Sequence, residues 1–355
     1  MRIVITGASG NVGTALLRRL EGRGHELVGV VRRVPAQAAP YAQARWYSVD
    51  LSEPRAAERL TPVLRGADAV VHLAWGFQPT RDPDYLERLG VGGTRAVLES
   101  AREVGVAHVV HMSSVGAYSP SRGPEPVDES YPTDGTPTSV YSRHKVAAER
   151  LLDDFEQIAP HPTVARMRPG FVLQRDAASG LLRYGVPPYV PARALGWLPV
   201  LPLARSLVIP VVHADDLADA VARVLERGAG GAFNVSGDPP VRAHDIARAF
   251  GARLLPVPAP LVGRFVDLTW RARLQAIDRG WVDLAFSVPL LDTTRARTVL
   301  GWAPQHDAVA TLADTVQGMQ ERASTRSPVL RARSLRDEIA AVARTRRMIG
   351  SRHRP

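Results

Sequence analysis

The sequence predicts an α/β fold, a doubly wound parallel sheet with a smaller C-terminal substrate-binding region. Three observations carry that expectation. Apolar runs of strand length alternate with helix-length amphipathic runs over the first 170 residues. The first apolar run passes straight into a glycine-rich turn. After Pro169 the alternation loosens into Pro- and Gly-rich sequence. The expected division is a dinucleotide-binding unit over 1–170, a substrate-binding region over 171–320 and a basic tail over 321–355.

Taken in order, Arg2-Ile3-Val4-Ile5-Thr6 reads as a buried strand, 12–20 as a helix, 26–31 as the second strand and 45–49 as a short third. Residues 54–64 read as a helix. Ala69-Val70-Val71-His72-Leu73 is a fourth strand, apolar enough to be covered on both faces. A long helix is expected over 85–104, a fifth strand over 107–112, a helix over 140–158 and a sixth strand over 163–167. The Pro-, Gly-, Ser- and Thr-rich stretch 120–138 reads as a loop. Segments 208–212 and 232–235 look like returns to the sheet, separated from later sequence by helices at 217–226 and 245–250. Ligands of such sheets bind beyond the carboxyl ends of the strands.

Composition narrows the class. Of 355 residues, 45% are apolar and 23% charged, the balance of a globular chain with a sizeable core. The chain has no cysteine, which excludes disulfides, thiol nucleophiles and Cys-based zinc sites; no metal site is expected. The most apolar stretch, 195–212, is broken by Pro199, Pro202, Arg205 and Pro210, so it reads as an apolar loop near the substrate and not as a transmembrane segment. No signal-peptide organisation opens the chain, and a cytoplasmic location is expected. The net charge of +10 is concentrated at one end: residues 322–355 hold ten arginines against Asp337 and Glu338. The near-neutral body argues against nucleic acid as a partner. Ser334 to Val342 reads as a short basic amphipathic helix, which packs on its own domain or makes weak contact with an anionic membrane surface.

One residue stands apart. Lys145 is the sole lysine, all other basic side chains being arginine. It lies four residues after Tyr141, on the same helical face. A phenol titrates near about 10 and must fall by about 3 units to exchange protons at neutral pH. A fixed ammonium nearby favours the phenolate, so the pair can serve a carbonyl/alcohol couple as general acid and base.

The glycine turn is Gly7-Ala8-Ser9-Gly10-Asn11-Val12-Gly13, between the first strand and first helix. Glycines let backbone approach a pyrophosphate, and the helix N-terminus favours its charge. Gly7, Ser9, Gly10, Asn11, Val12 and Gly13 are therefore candidate dinucleotide contacts, and the unit is Rossmann-like. The second strand ends in Arg32-Arg33 where a carboxylate would select NAD(H). Two guanidiniums suit a 2′-phosphate, which favours NADP(H), with NAD(H) as the alternative. Asp50 could accept from the adenine amino group or simply cap the segment after the third strand.

These residues, together with Asp50-Leu51, His72-Leu73-Ala74, Ser113-Ser114, Arg168-Pro169-Gly170, Val212-His213-Ala214-Asp215-Asp216 and Leu300-Gly301-Trp302-x-Pro304, occur in an order that resembles the extended short-chain dehydrogenase/reductase family, the NAD-dependent epimerase/dehydratase group. The likeness spans about residues 1–320. It implies an oxidoreductase with Tyr141 as acid/base, Lys145 lowering its pKa and holding the nicotinamide ribose, and Ser114 bonding the reacting oxygen, with Ser113 as the alternative hydroxyl. Leu51, Leu73 and Ala74 would line the adenosine and ribose path, and Pro169, Gly170, Phe171 and Val172 would pass along the nicotinamide. A small-molecule substrate follows, and a homodimer pairing the helices at 85–104 and 140–158. Asp215 and Asp216 are expected to cap a helix. Phe171 stands where relatives acting on nucleotide sugars often carry asparagine, and Trp75 and Phe77 would add aromatics near the substrate, or else pack the core. A ketoreductase-like enzyme is the first expectation. A nucleotide-sugar epimerase or dehydratase that recycles its cofactor is the second, and an NADP(H)-sensing binding protein the third.

Overall fold

In the computed structural model, which describes residues 1–76, 82–158, 162–186 and 190–332, the first half of the chain runs β1 (Arg2–Thr6), α1 (Asn11–Leu20), β2 (Glu26–Val31), β3 (Ala44–Ser48), α2 (Ala56–Leu64), β4 (Ala69–His72), α3 (Pro83–Glu87), α4 (Gly93–Glu103), β5 (His108–Met112), α5 (Val140–Ile158) and β6 (Thr163–Pro169). The second half continues β7 (Phe171–Leu173), α6 (Ala178–Gly185), β8 (Val200–Leu203), β9 (Val208–Ile209), β10 (Val211–His213), α7 (Ala214–Arg227), β11 (Gly231–Val235), β12 (Val241–Arg242), α8 (Ala243–Ala249), β13 (Arg253–Pro256), α9 (Ala259–Arg271), α10 (Arg279–Ser287), α11 (Thr294–Leu300) and α12 (Ala308–Glu321).

Seven strands form one parallel sheet in the order β11-β6-β5-β4-β1-β2-β3. The order reverses between β1 and β4, which opens a crevice at their carboxyl ends. Strand periodicity explains the layers. Ile3 and Ile5 of β1 face a core shared with Leu16 and Leu17 of α1 and Leu217 and Val221 of α7. Val4, between them, faces the other core with Leu60 of α2, Val97 of α4 and Leu152 of α5. Each such side chain contributes about 1.5–3 kcal/mol by leaving water. Both faces are covered, as the continuous apolar runs of β4 and β5 require.

Three expectations need correction. The helix expected over 85–104 is interrupted by a π-helical turn at Arg88–Gly92. Gly90 there lies against the Trp75 ring, where a Cβ would come within 3.0 Å, so the backbone detours around the indole. The segment 208–212 does not return to the main sheet. Pro210 divides it: β9 pairs antiparallel with β12, and β10 pairs with β7 in a separate ribbon. Segment 232–235 does return, as β11 beside β6. Finally, His213 rather than Asp215 or Asp216 caps α7, its ring Nδ1 accepting from the Asp215 amide at 3.1 Å. The two acids occupy the first turn, where the helix dipole favours them.

Strand β6 is longer than expected and carries Arg168 and Pro169. No helix among the described residues is long and apolar enough to cross a membrane. The expected helix from Ser334 to Val342 lies outside the described residues.

Candidate active site

A cleft of about 360 Å³ runs across the carboxyl ends of the central strands. It brings together Gly7, Ser9, Gly10, Asn11, Val12, Gly13, Arg32, Arg33, Asp50, Leu51, Leu73, Ala74, Trp75, Ser114, Tyr141, Lys145, Pro169, Gly170, Phe171 and Val172. Phe77 lies outside the described residues.

The glycine turn has the shape of a backbone cradle. Gly7 has φ +70°, and its amide donates to the Val30 carbonyl at 2.8 Å. A Cβ there would sit 2.7 Å from the Ala74 nitrogen, and one at Gly13 2.5 Å from the Ala8 oxygen. Both positions exclude a side chain, Gly7 also by its left-handed backbone. Helix α1 starts with neither a side-chain cap nor an acid in its first turn. Its amino-terminal amides thus remain for an anion, and the turn fits a dinucleotide pyrophosphate. The Asn11 side chain donates to the Val172 carbonyl at 3.0 Å, and Gln174 donates back to Asn11, so the turn is tied to β7. From the far end of the chain, Ser327 Oγ donates to the Ser9 carbonyl at 2.6 Å, and Val329 and Leu330 close part of the cleft.

At the adenosine end, Arg32 Nη1 donates to the Tyr85 hydroxyl at 3.0 Å, and Arg33 is exposed beside it. Asp50 Oδ1 accepts from the Ser52 amide at 2.9 Å and hydroxyl at 2.7 Å, so one carboxylate oxygen holds the turn after β3.

Tyr141 lies in the first turn of α5 and Lys145 one turn later, both on the face that meets the cleft. Ser114, just past β5, hydrogen-bonds Tyr141 and accepts from the Gly116 amide at 3.0 Å. Ser113 turns the other way and donates to Glu149 Oε1 at 2.5 Å. Lys145 is only 2% exposed. Its Nζ donates to the Met112 carbonyl at 2.7 Å and sits 3.5 Å from the Trp75 ring centroid, a cation–π contact. The same nitrogen is 5.9 Å from the centre of the Tyr141 ring. Burial pushes the Lys145 ammonium well below its ordinary value, with Glu149 opposing.

Electrostatics here differ from the sequence expectation. Burial pushes the Tyr141 phenol up to about 12, and the Ser114 hydrogen bond only partly opposes that rise. Desolvation of the phenolate sets that rise, and Lys145 directs a proton at the Met112 carbonyl. These side chains alone do not make the tyrosine acidic.

Sequence reasoning missed three parts of the site. Glu149 is one helical turn beyond Lys145 and meets Arg168 Nε at 2.9 Å and Arg166 Nη1 at 3.1 Å. Burial would raise its carboxyl, but Arg168, Ser113 and Arg166 bring it down to about 2. Its spacing from Lys145 was the available signal. On the far wall, Leu284 and Val288 of the α10 segment line the cleft, and the Trp281 ring lies 5.3 Å from that of Tyr141. The third part is the closing segment around Leu330, which nothing in its sequence distinguishes from the basic tail.

Comparison with known proteins agrees with this architecture. The sequence model of the NAD dependent epimerase/dehydratase family matches residues 3–236. A 3-diazoavenalumate denitrifying reductase of a Streptomyces species is 28% identical over 326 residues, covering 86% of this chain and 97% of that protein. The UDP-glucose 4-epimerase of Mycolicibacterium smegmatis is 29% identical over 340 residues, covering 89% and 98%. The UDP-glucose 4-epimerase of Bifidobacterium longum, solved with NAD+ and UDP, shares the fold at a TM-score of 0.67 and 17% identity, covering 90% of this chain and 98% of that one. The chain also matches uncharacterized proteins of Mycobacterium tuberculosis and Mycobacterium bovis at 27% identity, spanning 30% of their length. A family match over most of the chain, on a cleft built around a glycine cradle and a Ser-Tyr-Lys cluster, makes this protein a member of the NAD dependent epimerase/dehydratase family.

Proposed function

We propose that the protein is an NADP(H)-dependent oxidoreductase that interconverts an apolar ketone or aldehyde with its alcohol. The observation that carries this reading is the Ser114–Tyr141 pair beside buried Lys145, on the floor of a cleft whose substrate wall is Trp75, Phe171, Leu284 and Val288. Such a wall favours an apolar substrate oriented by a few polar groups. The likeness to a named reductase supports the oxidoreductase part of this reading.

In this reading the glycine turn and the α1 amides hold the pyrophosphate, and Arg32 and Arg33 meet a 2′-phosphate. Lys145, with one proton on Met112, directs the others at the ribose hydroxyls. Ser114 donates to the substrate oxygen and Tyr141 gives or takes its proton. Trp75 and Leu284 keep water from that oxygen. The nicotinamide, when bound, supplies the hydride donor or acceptor and, oxidised, a positive charge that lowers a neighbouring phenol's pKa.

The test is turnover with NADPH or NADH and a panel of aryl and alkyl ketones. The expected result is consumption of NADPH in preference to NADH, abolished by Tyr141→Phe while NADPH binding, read by fluorescence, survives. Substantial turnover by Tyr141→Phe would refute the proton role. A nucleotide-sugar epimerase that recycles its cofactor is the second reading, favoured by the likeness to the Mycolicibacterium enzyme. It predicts dinucleotide retained through purification and epimerisation of a UDP-sugar without net NADPH loss. A purely NADP(H)-sensing protein would bind NADPH and turn over neither substrate.

A further inference from the structure

We infer that α9 is a docking face for an anionic membrane surface, placing the mouth of the cleft at the lipid boundary. Leu261, Phe265 and Leu268 recur at helical spacing on one side of α9 and are 48%, 66% and 67% exposed. Val262, Val266 and Trp270 occupy the opposite side and are half-buried, and α9 contacts α10. Three large apolar side chains held outward on one helix face mark an interaction surface.

Charge selects the occupant. Between 253 and 279 the arginines 253, 264, 271, 273 and 279 are all exposed, whereas Asp267 and Asp278 are half-buried. Arg264 and Arg271 flank the apolar stripe along one edge. A second copy docking face to face would bring the same arginines together. The chain's own end beyond residue 332 is basic as well. An anionic lipid surface satisfies both the apolar stripe and its cationic border, as in helices that lie in the interfacial plane. Trp197, 79% exposed just before β8, adds an aromatic of the kind such interfaces accommodate, and β8 contacts α9.

The placement also has a use, which rests on the apolar-substrate reading above. Helix α10, against which α9 packs, supplies Leu284 to the cleft wall. A lipid-dissolved ketone would then reach the site along one apolar path.

The experiment is co-sedimentation of the full chain with vesicles of phosphatidylcholine alone or mixed with phosphatidylglycerol. The full chain should bind the mixed vesicles, less so at high salt, and the variant Phe265→Ser/Leu268→Ser should partition about tenfold or more weakly. Both replaced side chains are exposed, so the thermal melt should be unchanged and serves as the folding control. Absence of binding by the parent chain, or equal binding by the variant, overturns the inference. So does a dimer in sedimentation velocity that the variant dissociates while vesicle binding persists. Vesicle binding is read without turnover, so failure of the reductase assay leaves this result standing.

Discussion

The hydroxyls of neighbouring serines 113 and 114 meet different partners, because successive side chains of extended backbone point to opposite sides. Ser114 has φ −172° and ψ 155°, and its hydroxyl meets Tyr141, whereas Ser113 faces Glu149. Replacing each by alanine separates chemistry from structure. Ser114→Ala should lower kcat by about 100-fold with NADPH binding intact. Ser113→Ala should keep kcat within about threefold and cost about 1.5–3 kcal/mol in urea unfolding, since it removes a hydrogen bond to a charged carboxylate. The reverse pattern would move the role to Ser113. At this scale the lysine-poor composition made Lys145 legible, and with it Tyr141. Glu149 was not legible, because an acid one turn from a lysine is also the commonest pattern of a solvated helix face. Its partners Arg166 and Arg168 reach it only once β6 lies beside α5.

Among the elements, the β1–turn–α1 unit is the one whose geometry is least forgiving. An alanine Cβ at Gly13 would lie 2.5 Å from the Ala8 oxygen, a backbone atom that cannot swing away. Gly13→Ala should therefore lift α1 from the turn, weaken NADPH binding about tenfold or more and cost about 1–3 kcal/mol. Gly123→Ala, which meets nothing within 4 Å, should change neither, and isothermal calorimetry with urea unfolding reads both. A Gly13→Ala protein that binds NADPH normally would remove the cradle from the cofactor site. Local signals explain which elements could be read in advance: β2 and α5 carry their period in their own residues and begin and end where that period does. The π-turn before α4 depends on Trp75 arriving from another segment, and the small β7–β10 and β9–β12 ribbons depend on Pro210 facing Gly170. Such tertiary demands leave no local period to read.

Over the whole molecule, burial of neutral histidines sets an acid limit on stability. His72 lies between the Thr6 and Thr94 hydroxyls, and burial, with Lys145 adding to it, lowers its pKa from the ordinary 6.5 to about 3. His111 is 1% exposed and is lowered well below 6.5 by burial, then by His72 and by the cations Lys145 and Arg166. Both are depressed in the fold, so the unfolded chain takes up protons first. Their contribution is complete above pH 6.5 and is lost as pH falls below it, for His72 down to about 3, at about 1.4 kcal/mol per pH unit for each histidine. Glu149 adds a second stage. Its folded value of about 2 lies below the ordinary 4.5, so its share is present above 4.5 and lost below it. Stability should therefore plateau near neutral pH, decline below 6.5 and decline more steeply below 4.5. The check is urea unfolding at about pH 7.5, 6 and 5 on the parent chain and on His111→Leu, whose ring nitrogens have no hydrogen-bond partner among the described residues. The variant's slope between pH 6.5 and 5 should be shallower by about one proton, because one of the titrating rings is gone. An unchanged slope would mean that His111 is protonated in the folded protein, against burial and the neighbouring cations Lys145 and Arg166.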